Sequence, residues 1–429
     1  MLSDIIEGSP QLPRLSISRW SRLAKQLQEE IEWRWHIRAF ILDIVQTAPE
    51  DTDIVLAELL FRPDPNHSLE DAEWARPEAL FRGCLTEEEH LLLDHSYYWT
   101  DRGVTCGAPG WIHEVLDWVG QQAPFESTDG IRQVQQWNAS PASYLLQLSA
   151  ENKASWWLKI VNPAHSAEYR VTVALTSLFP EYLPPIASSH DLWGAWLMED
   201  GGPSMESTEL SEPKTVWNLS RRLAELQEAS VSHIPSLSES GCPNWNLERI
   251  CNGVAAALPL IEAAMDAQDI PGVSRLGKDS LDELCEVTEE ACCRLGSAGI
   301  PDSLIHNDLQ LENIIGWPAR CRFIDWDQAG TGNPFLTFEQ LRVQVPQSGA
   351  ASLASGYRSW WSRSLSPEAI NIGFAMAPSI AIGVQLSSFA ASISAGHVPR
   401  RLELRNLRIL TRQLDTALQP IRRSIRRCA

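Results

Sequence analysis

Between residues 131 and 199 the chain runs through three short strand-like segments (131–137, 143–149, 156–161), a helix opening at Ser166, and two further strand-like segments (185–189, 193–199). Ser166 is suited to the N-cap of that helix because its hydroxyl can accept from a free N–H of the first turn. From about residue 214 onward the sequence is predominantly helical. This order predicts an α+β chain in which a small antiparallel sheet lobe precedes a large helical lobe.

At 429 residues the chain is long enough for two or three domains, and 44% hydrophobic with 21% charged residues is the balance of a folded chain. Nine cysteines are scattered without a CxxC pair, so neither a disulfide framework nor a zinc ribbon is indicated, and a cytoplasmic setting is expected. The formal charge of −20 argues against nucleic acid as a partner, since duplex binding relies on Lys and Arg to neutralise phosphates. Residues 400–429 run against that trend, with nine Arg facing only Glu403 and Asp415, and read as a solvated, Arg-studded helix.

The N-terminal sequence has neither the basic start nor the apolar stretch of a signal peptide. Ala369–Gly396 is long enough to span a bilayer, but Asn371, Pro378 and Gln385 dilute it, so a buried helix or helix pair is expected and no membrane partner. Upstream, a helix over 18–35 carries Trp20, Leu23, Leu27, Ile31 and Trp35 at helical spacing, and the apolar runs 38–45 and 53–60 form a hairpin. A helix over 109–120 presents Trp111, Val115 and Trp118 on one face. We divide the chain into an N-terminal α+β extension (1–108), the sheet lobe (109–202) and the helical lobe (203–429). The extension is expected to pack on the sheet lobe, burying Trp20, Trp33, Trp35, Trp111 and Trp118, because so many exposed rings would invite aggregation.

The chemistry concentrates at residues 303–327. Asp308 stands five residues before Asn313 on a loop, and Asp325 closes an apolar strand twelve residues later. Phosphoryl transfer needs such a set: a carboxylate to accept a proton from the substrate hydroxyl, and an amide with a second carboxylate to hold magnesium. All are oxygen donors, as a hard cation requires. Asp327 either touches metal or substrate or caps the following turn.

The motif His306-Asn307-Asp308-Leu309 with Asn313, followed by Ile324-Asp325-Trp326-Asp327, resembles the catalytic and metal-binding loops of the aminoglycoside phosphotransferase family, which has a protein-kinase-like fold. The family usually has Gly where Asn307 stands. The resemblance implies that Asp308 is the catalytic base, that His306 braces the loop, and that Asn313 and Asp325 are Mg2+ ligands. A kinase-like fold further calls for a strand Lys and a helix Glu to hold the nucleotide phosphates. Lys159, one of only five Lys in the chain, lies within an apolar strand, and Glu168 is its best partner. The phosphate turn falls at 137–143, where Asn138, Ser140 and Ser143 replace the glycines of protein kinases. Met198 and Glu199 mark the adenine hinge.

The resulting expectation is a two-lobe, protein-kinase-like small-molecule kinase with an N-terminal α+β extension, transferring the γ-phosphoryl group of ATP or GTP to a substrate hydroxyl. The alternative is a nucleotide-binding, pseudokinase-like regulatory or interaction protein. A protein kinase is a poor fit, because Trp326-Asp327 follows Asp325 and no Ala-Pro-Glu segment appears. The acidic body predicts a cationic or zwitterionic small-molecule substrate, and the oligomeric state is not legible.

Overall fold

The computed structural model describes residues 2–6, 9–11, 15–18, 22–46, 53–60, 72–74, 110–122, 125, 130–139, 143–150, 154–162, 166–268, 274–317, 320–396, 399 and 401–428. The chain divides into two compact units, Met1–Val173 with Pro184–Asp200, and Ala174–Leu183 with Gly201–Ala429.

The first unit opens with β1 (Leu2–Ile6), β2 (Ser9–Gln11), α1 (Leu23–Trp35), β3 (Ala39–Gln46), β4 (Asp53–Leu59) and β5 (Ala72–Trp74). Strands β3 and β4 form the expected antiparallel hairpin, and β1 pairs with both β2 and β5. After α2 (Trp111–Gly120) come β6 (Ile131–Ala139), β7 (Ser143–Ala150), β8 (Ser155–Val161), α3 (Ser166–Leu178), β9 (Ile186–His190) and β10 (Ala195–Glu199). The last five strands make one antiparallel sheet in the order β6-β7-β8-β10-β9, matching each predicted segment to within about two residues.

Alternation decides which face of that sheet is covered. Tyr144, Leu146 and Leu148 of β7 are buried beside Leu158 and Ile160 of β8, and Trp111, Val115, Leu116 and Val119 of α2 complete the cluster. Phe40, Leu42 and Leu60 of the hairpin join the same core, so α2 bridges hairpin and sheet. The joint is also polar. Fully buried Gln136 accepts the Ile41 N–H and donates to the Ile41 carbonyl, both at 2.8 Å, and its own N–H donates to Gln28 at 2.9 Å. One side-chain amide thereby satisfies main-chain groups that burial would otherwise leave costly.

The tryptophan expectation needs correction. Trp35 and Trp111 are buried, Trp118 is half-buried against Trp193, but Trp33 is 74% exposed. The buried stripe of α1 is Ala24, Leu27, Gln28, Ile31 and Trp35, and position 33 lies off it. Helix α1 starts at Leu23 rather than at residue 18, and Trp20 lies outside the described residues.

The second unit is mainly helical: α4 (Pro213–Ser230), α5 (Ile234–Glu239), β11 (Asn244–Trp245), α6 (Leu247–Asp266), α7 (Lys278–Ser297), β12 (Ser303–Ile305), β13 (Ile314–Ile315), β14 (Arg322–Phe323), β15 (Gly330–Gly332), α8 (Phe335–Arg342), α9 (Gln347–Trp361), α10 (Pro367–Ser394) and α11 (Arg401–Cys428). Helix α10 is long and apolar enough to cross a membrane, yet it packs on α6, α7 and α8 with 61% of its most apolar stretch buried. Helices α4 and α9 approach closely at Gly356, where a Cβ would lie 2.4 Å from the Trp217 carbonyl oxygen. The Arg-rich α11 is only partly solvated, because Leu407, Leu414, Leu418 and Ile421 are buried. Arg422, 9% exposed, pairs with Asp415 at 2.5 Å and Glu283 at 3.5 Å.

Candidate active site

Strand β12, buried along its length, delivers His306 into the second unit. The His306 main-chain N–H donates to Thr337 Oγ1 at 3.0 Å, and the ring Nε2 lies 2.9 Å from the Ile324 carbonyl oxygen. The ring packs on Trp326 with centroids 4.4 Å apart. Burial pushes its pKa below the ordinary histidine value. A neutral ring protonated on Nε2 fits this setting, donating to Ile324 and so joining the loop of Asp308 to the strand end that carries Asp325.

Asn307 has φ +60°, in the left-handed region. That conformation explains why glycine suits the position, and asparagine is among the few other residues that enter it readily. Its Nδ2 donates to the Gln328 carbonyl at 3.2 Å. The half-buried Asp308 follows, and its carbonyl oxygen accepts from Asn313 Nδ2 at 2.9 Å. This bond commits the amide nitrogen of Asn313 and leaves its Oδ1 as the donor for a cation. The Asn313 carbonyl in turn accepts the Ile324 N–H at 3.0 Å, and pairing of β13 with β14 continues the link.

Asp325 also has a left-handed backbone, φ +66°, and starts the short 3-10 turn Trp326–Gln328 without capping it through its carboxylate. Asp327 is exposed in that turn. Trp326 anchors the segment through its Nε1, which donates to the Phe323 carbonyl at 3.1 Å.

Three residues bracing this region were not singled out from the sequence. Thr337 holds His306, as above. Gln340 Oε1 accepts the Leu309 N–H at 3.1 Å. Gln344 acts at both ends of the next residue pair: its Oε1 accepts the Leu311 N–H at 3.1 Å and its Nε2 donates to the Leu309 carbonyl at 2.6 Å. Thr337 and Gln340 sit on α8 and Gln344 just beyond it, so one short helix clamps the backbone on both sides of Asp308.

In the first unit, Lys159 Nζ lies 2.5 Å from Glu168 Oε1, with the two side chains 14% and 7% exposed. Strand register puts Lys159 between Leu145 and Trp196, and the ammonium also lies 5.9 Å from the Trp196 ring. Val161, Tyr169 and Trp196 form a small apolar cluster at this face, which shields the pair from water. Asn138 donates through Nδ2 to Ser143 Oγ at 3.3 Å, across a turn in which Ser140 lies outside the described residues. At the other end of the sheet the β9–β10 register shifts between Leu197 and Met198, and Glu199 is exposed there with its N–H donating to the Pro185 carbonyl at 3.0 Å.

Among the described residues no three His, Cys, Asp or Glu side chains converge as a ready-made metal site. Magnesium does not need one, since it is usually held by one or two carboxylates together with phosphate oxygens and water. Asn313 Oδ1 and the Asp325 carboxylate fit that role.

No family model matches the chain, and no curated protein matches it by sequence. Solved structures do resemble it. The ethanolamine kinase of Plasmodium vivax aligns with a TM-score of 0.50 at 14% identity, over 81% of this chain and 95% of that one. The choline kinase of Cryptosporidium parvum Iowa II gives 0.49 at 13% identity over 73% and 97% of the two chains. The macrolide 2'-phosphotransferase of Brachybacterium faecium gives 0.44 at 14% over 72% and 98%. The likeness to the ethanolamine kinase shows a mixed helix-and-sheet, kinase-like fold. Structural neighbours of that fold here are small-molecule phosphotransferases.

Proposed function

We propose that the protein is a two-lobe small-molecule kinase that transfers the γ-phosphoryl group of ATP or GTP to a hydroxyl of a small substrate. The observation that carries this reading is the double link through Asn313, bonded by its side chain to Asp308 and by its carbonyl to Ile324, directly before Asp325. Phosphoryl transfer is mainly a matter of positioning and charge neutralisation, and a link that ties the main chain at Asp308 and at the residue before Asp325 to one asparagine supports that reading.

In this reading Asp308 accepts the proton of the attacking hydroxyl, while His306 holds the loop and does not exchange protons itself. Asn313 and Asp325 would hold Mg2+, which neutralises phosphate charge when bound. Lys159, kept charged and oriented by Glu168, would pair with the nucleotide phosphates. Asn138, Ser140 and Ser143 would cover them, and main-chain groups near Met198 and Glu199 would meet the base. A catalytic role is favoured over a pseudokinase because Asn307 takes the backbone conformation that glycine would take, leaving Asp308 on an intact loop. We further propose a cytoplasmic protein with a cationic or zwitterionic substrate and neither nucleic acid nor membrane as partner. A phosphorylation screen over amino alcohols, aminoglycosides and other antibiotics, with ATP or GTP and with or without Mg2+, tests the reading. Magnesium-dependent transfer to at least one alcohol supports it; nucleotide binding without transfer to any acceptor or to water favours the pseudokinase.

A further inference from the structure

The second unit contains a cavity of about 870 Å³ that none of the residues discussed above lines. Its walls come from Glu212 and α4 as far as Glu225, from the hairpin of β13 and β14, and from Glu181. A volume in this range accommodates a drug-sized ligand. The charge of the walls is opposite to that of the protein as a whole: in a chain of net charge −20, five cations line this space against three carboxylates.

The carboxylates are already engaged. Glu181 and Glu225 both pair with Arg222, at 3.8 and 3.3 Å, and Glu212 accepts from the Thr215 hydroxyl at 2.9 Å. Arg222 is further fixed by stacking on Tyr182, 3.8 Å from the ring centroid. Arg221 stands over both Trp217 and Trp360, at 5.6 and 5.1 Å, which orders its guanidinium without neutralising it. Lys214 and Arg320 are exposed and make no ion pair among the described residues. Arg322, on β14, forms part of the wall and is only 9% exposed. The one thiol in the wall, Cys321, is held protonated by burial, its pKa pushed up to about 12, and adds no negative charge.

We propose that this cavity binds a small polyanion carrying at least two phosphate groups, at a site separate from the loops of Asp308 and Asp325. Arg221, Arg320 and Lys214 would take the phosphate oxygens, guanidinium groups being suited to bidentate contact. Trp317 offers a flat apolar surface beside them for the remainder of the ligand. The ligand chemistry has two sources, an inorganic polyphosphate or a nucleotide, which share the phosphates and differ in the ring.

The test is calorimetric titration of the full chain with inorganic tripolyphosphate, without magnesium, beside the double variant Lys214→Glu/Arg320→Glu and the variant Lys159→Met/Glu168→Leu, which removes the cation proposed for the nucleotide phosphates. Both reversed residues are exposed, so the fold is expected to survive, and circular dichroism checks both variants. Saturable binding to the wild type, weakened at least about tenfold in Lys214→Glu/Arg320→Glu and unchanged in Lys159→Met/Glu168→Leu, is the expected result. Absence of saturable binding, equal affinity in Lys214→Glu/Arg320→Glu, or loss in Lys159→Met/Glu168→Leu would overturn the proposal. Titration with ATP and AMP in the Lys159→Met/Glu168→Leu background separates the sources. A gain over tripolyphosphate that Trp317→Ala removes assigns the site to a nucleotide, and its absence assigns it to polyphosphate. Because the measurement needs no turnover, its outcome is independent of the proposed kinase activity.

Discussion

Asn313 donates through its side-chain amide to the main-chain carbonyl of Asp308 at 2.9 Å. A hydrogen bond from an asparagine to a backbone oxygen fixes which face of the amide is free, and here the free face is an oxygen. Asn313→Asp keeps an oxygen at the cation position but loses the donor, so it should loosen the Asp308 loop while retaining metal affinity. Nucleotide turnover should fall about tenfold or more while the magnesium dependence persists. Steady-state kinetics across a magnesium titration checks this; an unchanged kcat would contradict it.

Gln344 grips the main chain at Leu309 and Leu311 and touches no proposed reactant. Gln344→Ala should lower kcat by about 10- to 100-fold with a smaller effect on KM for nucleotide, since misplacing a catalytic loop costs rate first. Gln344→Glu keeps the acceptor for the Leu311 N–H but cannot donate when ionised, and should fall between the two. A loss confined to thermal stability would mark the clamp as structural only.

The buried pair Lys159–Glu168 separates stability from function. Glu168→Gln should destabilise the fold by about 3 kcal/mol, because it leaves a poorly solvated ammonium without its counter-charge. Lys159→Met/Glu168→Leu should recover most of that loss in denaturant melts. It should still bind nucleotide poorly, because the phosphate partner is gone. Normal nucleotide affinity in the double variant would remove Lys159 from the site.

His306 sets a pH dependence. Its native pKa lies below the ordinary value of 6.5, so the unfolded chain binds the proton more readily than the folded one. Stability from this group is full above about 6.5 and is lost as pH falls from there toward the native value. Wild-type unfolding midpoints should therefore drop between pH 7 and 5 more steeply than those of His306→Gln, and parallel curves would contradict the assignment.

How much of this was legible in the sequence follows from what kind of signal each residue leaves. Lys159 stood out because an ammonium within an apolar strand requires a partner, and the loops of Asp308 and Asp325 stood out by residue type and spacing. The five strands and α3 were readable from local pattern. Thr337, Gln340 and Gln344 were not, because a side chain bonded to distant backbone follows no periodicity; the only hint was two glutamines at helical spacing across the end of α8. Trp33 departs from the expectation because helical phase outweighs ring size: Ile31 and Trp35 define the buried stripe, and a position midway between them turns outward. The basic cavity leaves no local signal in the sequence, because Lys214 and Arg320 are more than one hundred residues apart and meet only in the fold.

The most direct test of the account compares Asp308→Asn with the wild type in two assays: binding of a fluorescent ATP analogue with Mg2+, and magnesium-dependent release or transfer of the γ-phosphate. If Asp308 is the general base, binding stays near the wild-type value while turnover falls by about 10² to 10⁴. Turnover at the wild-type rate in the Asp308 variant would contradict the account.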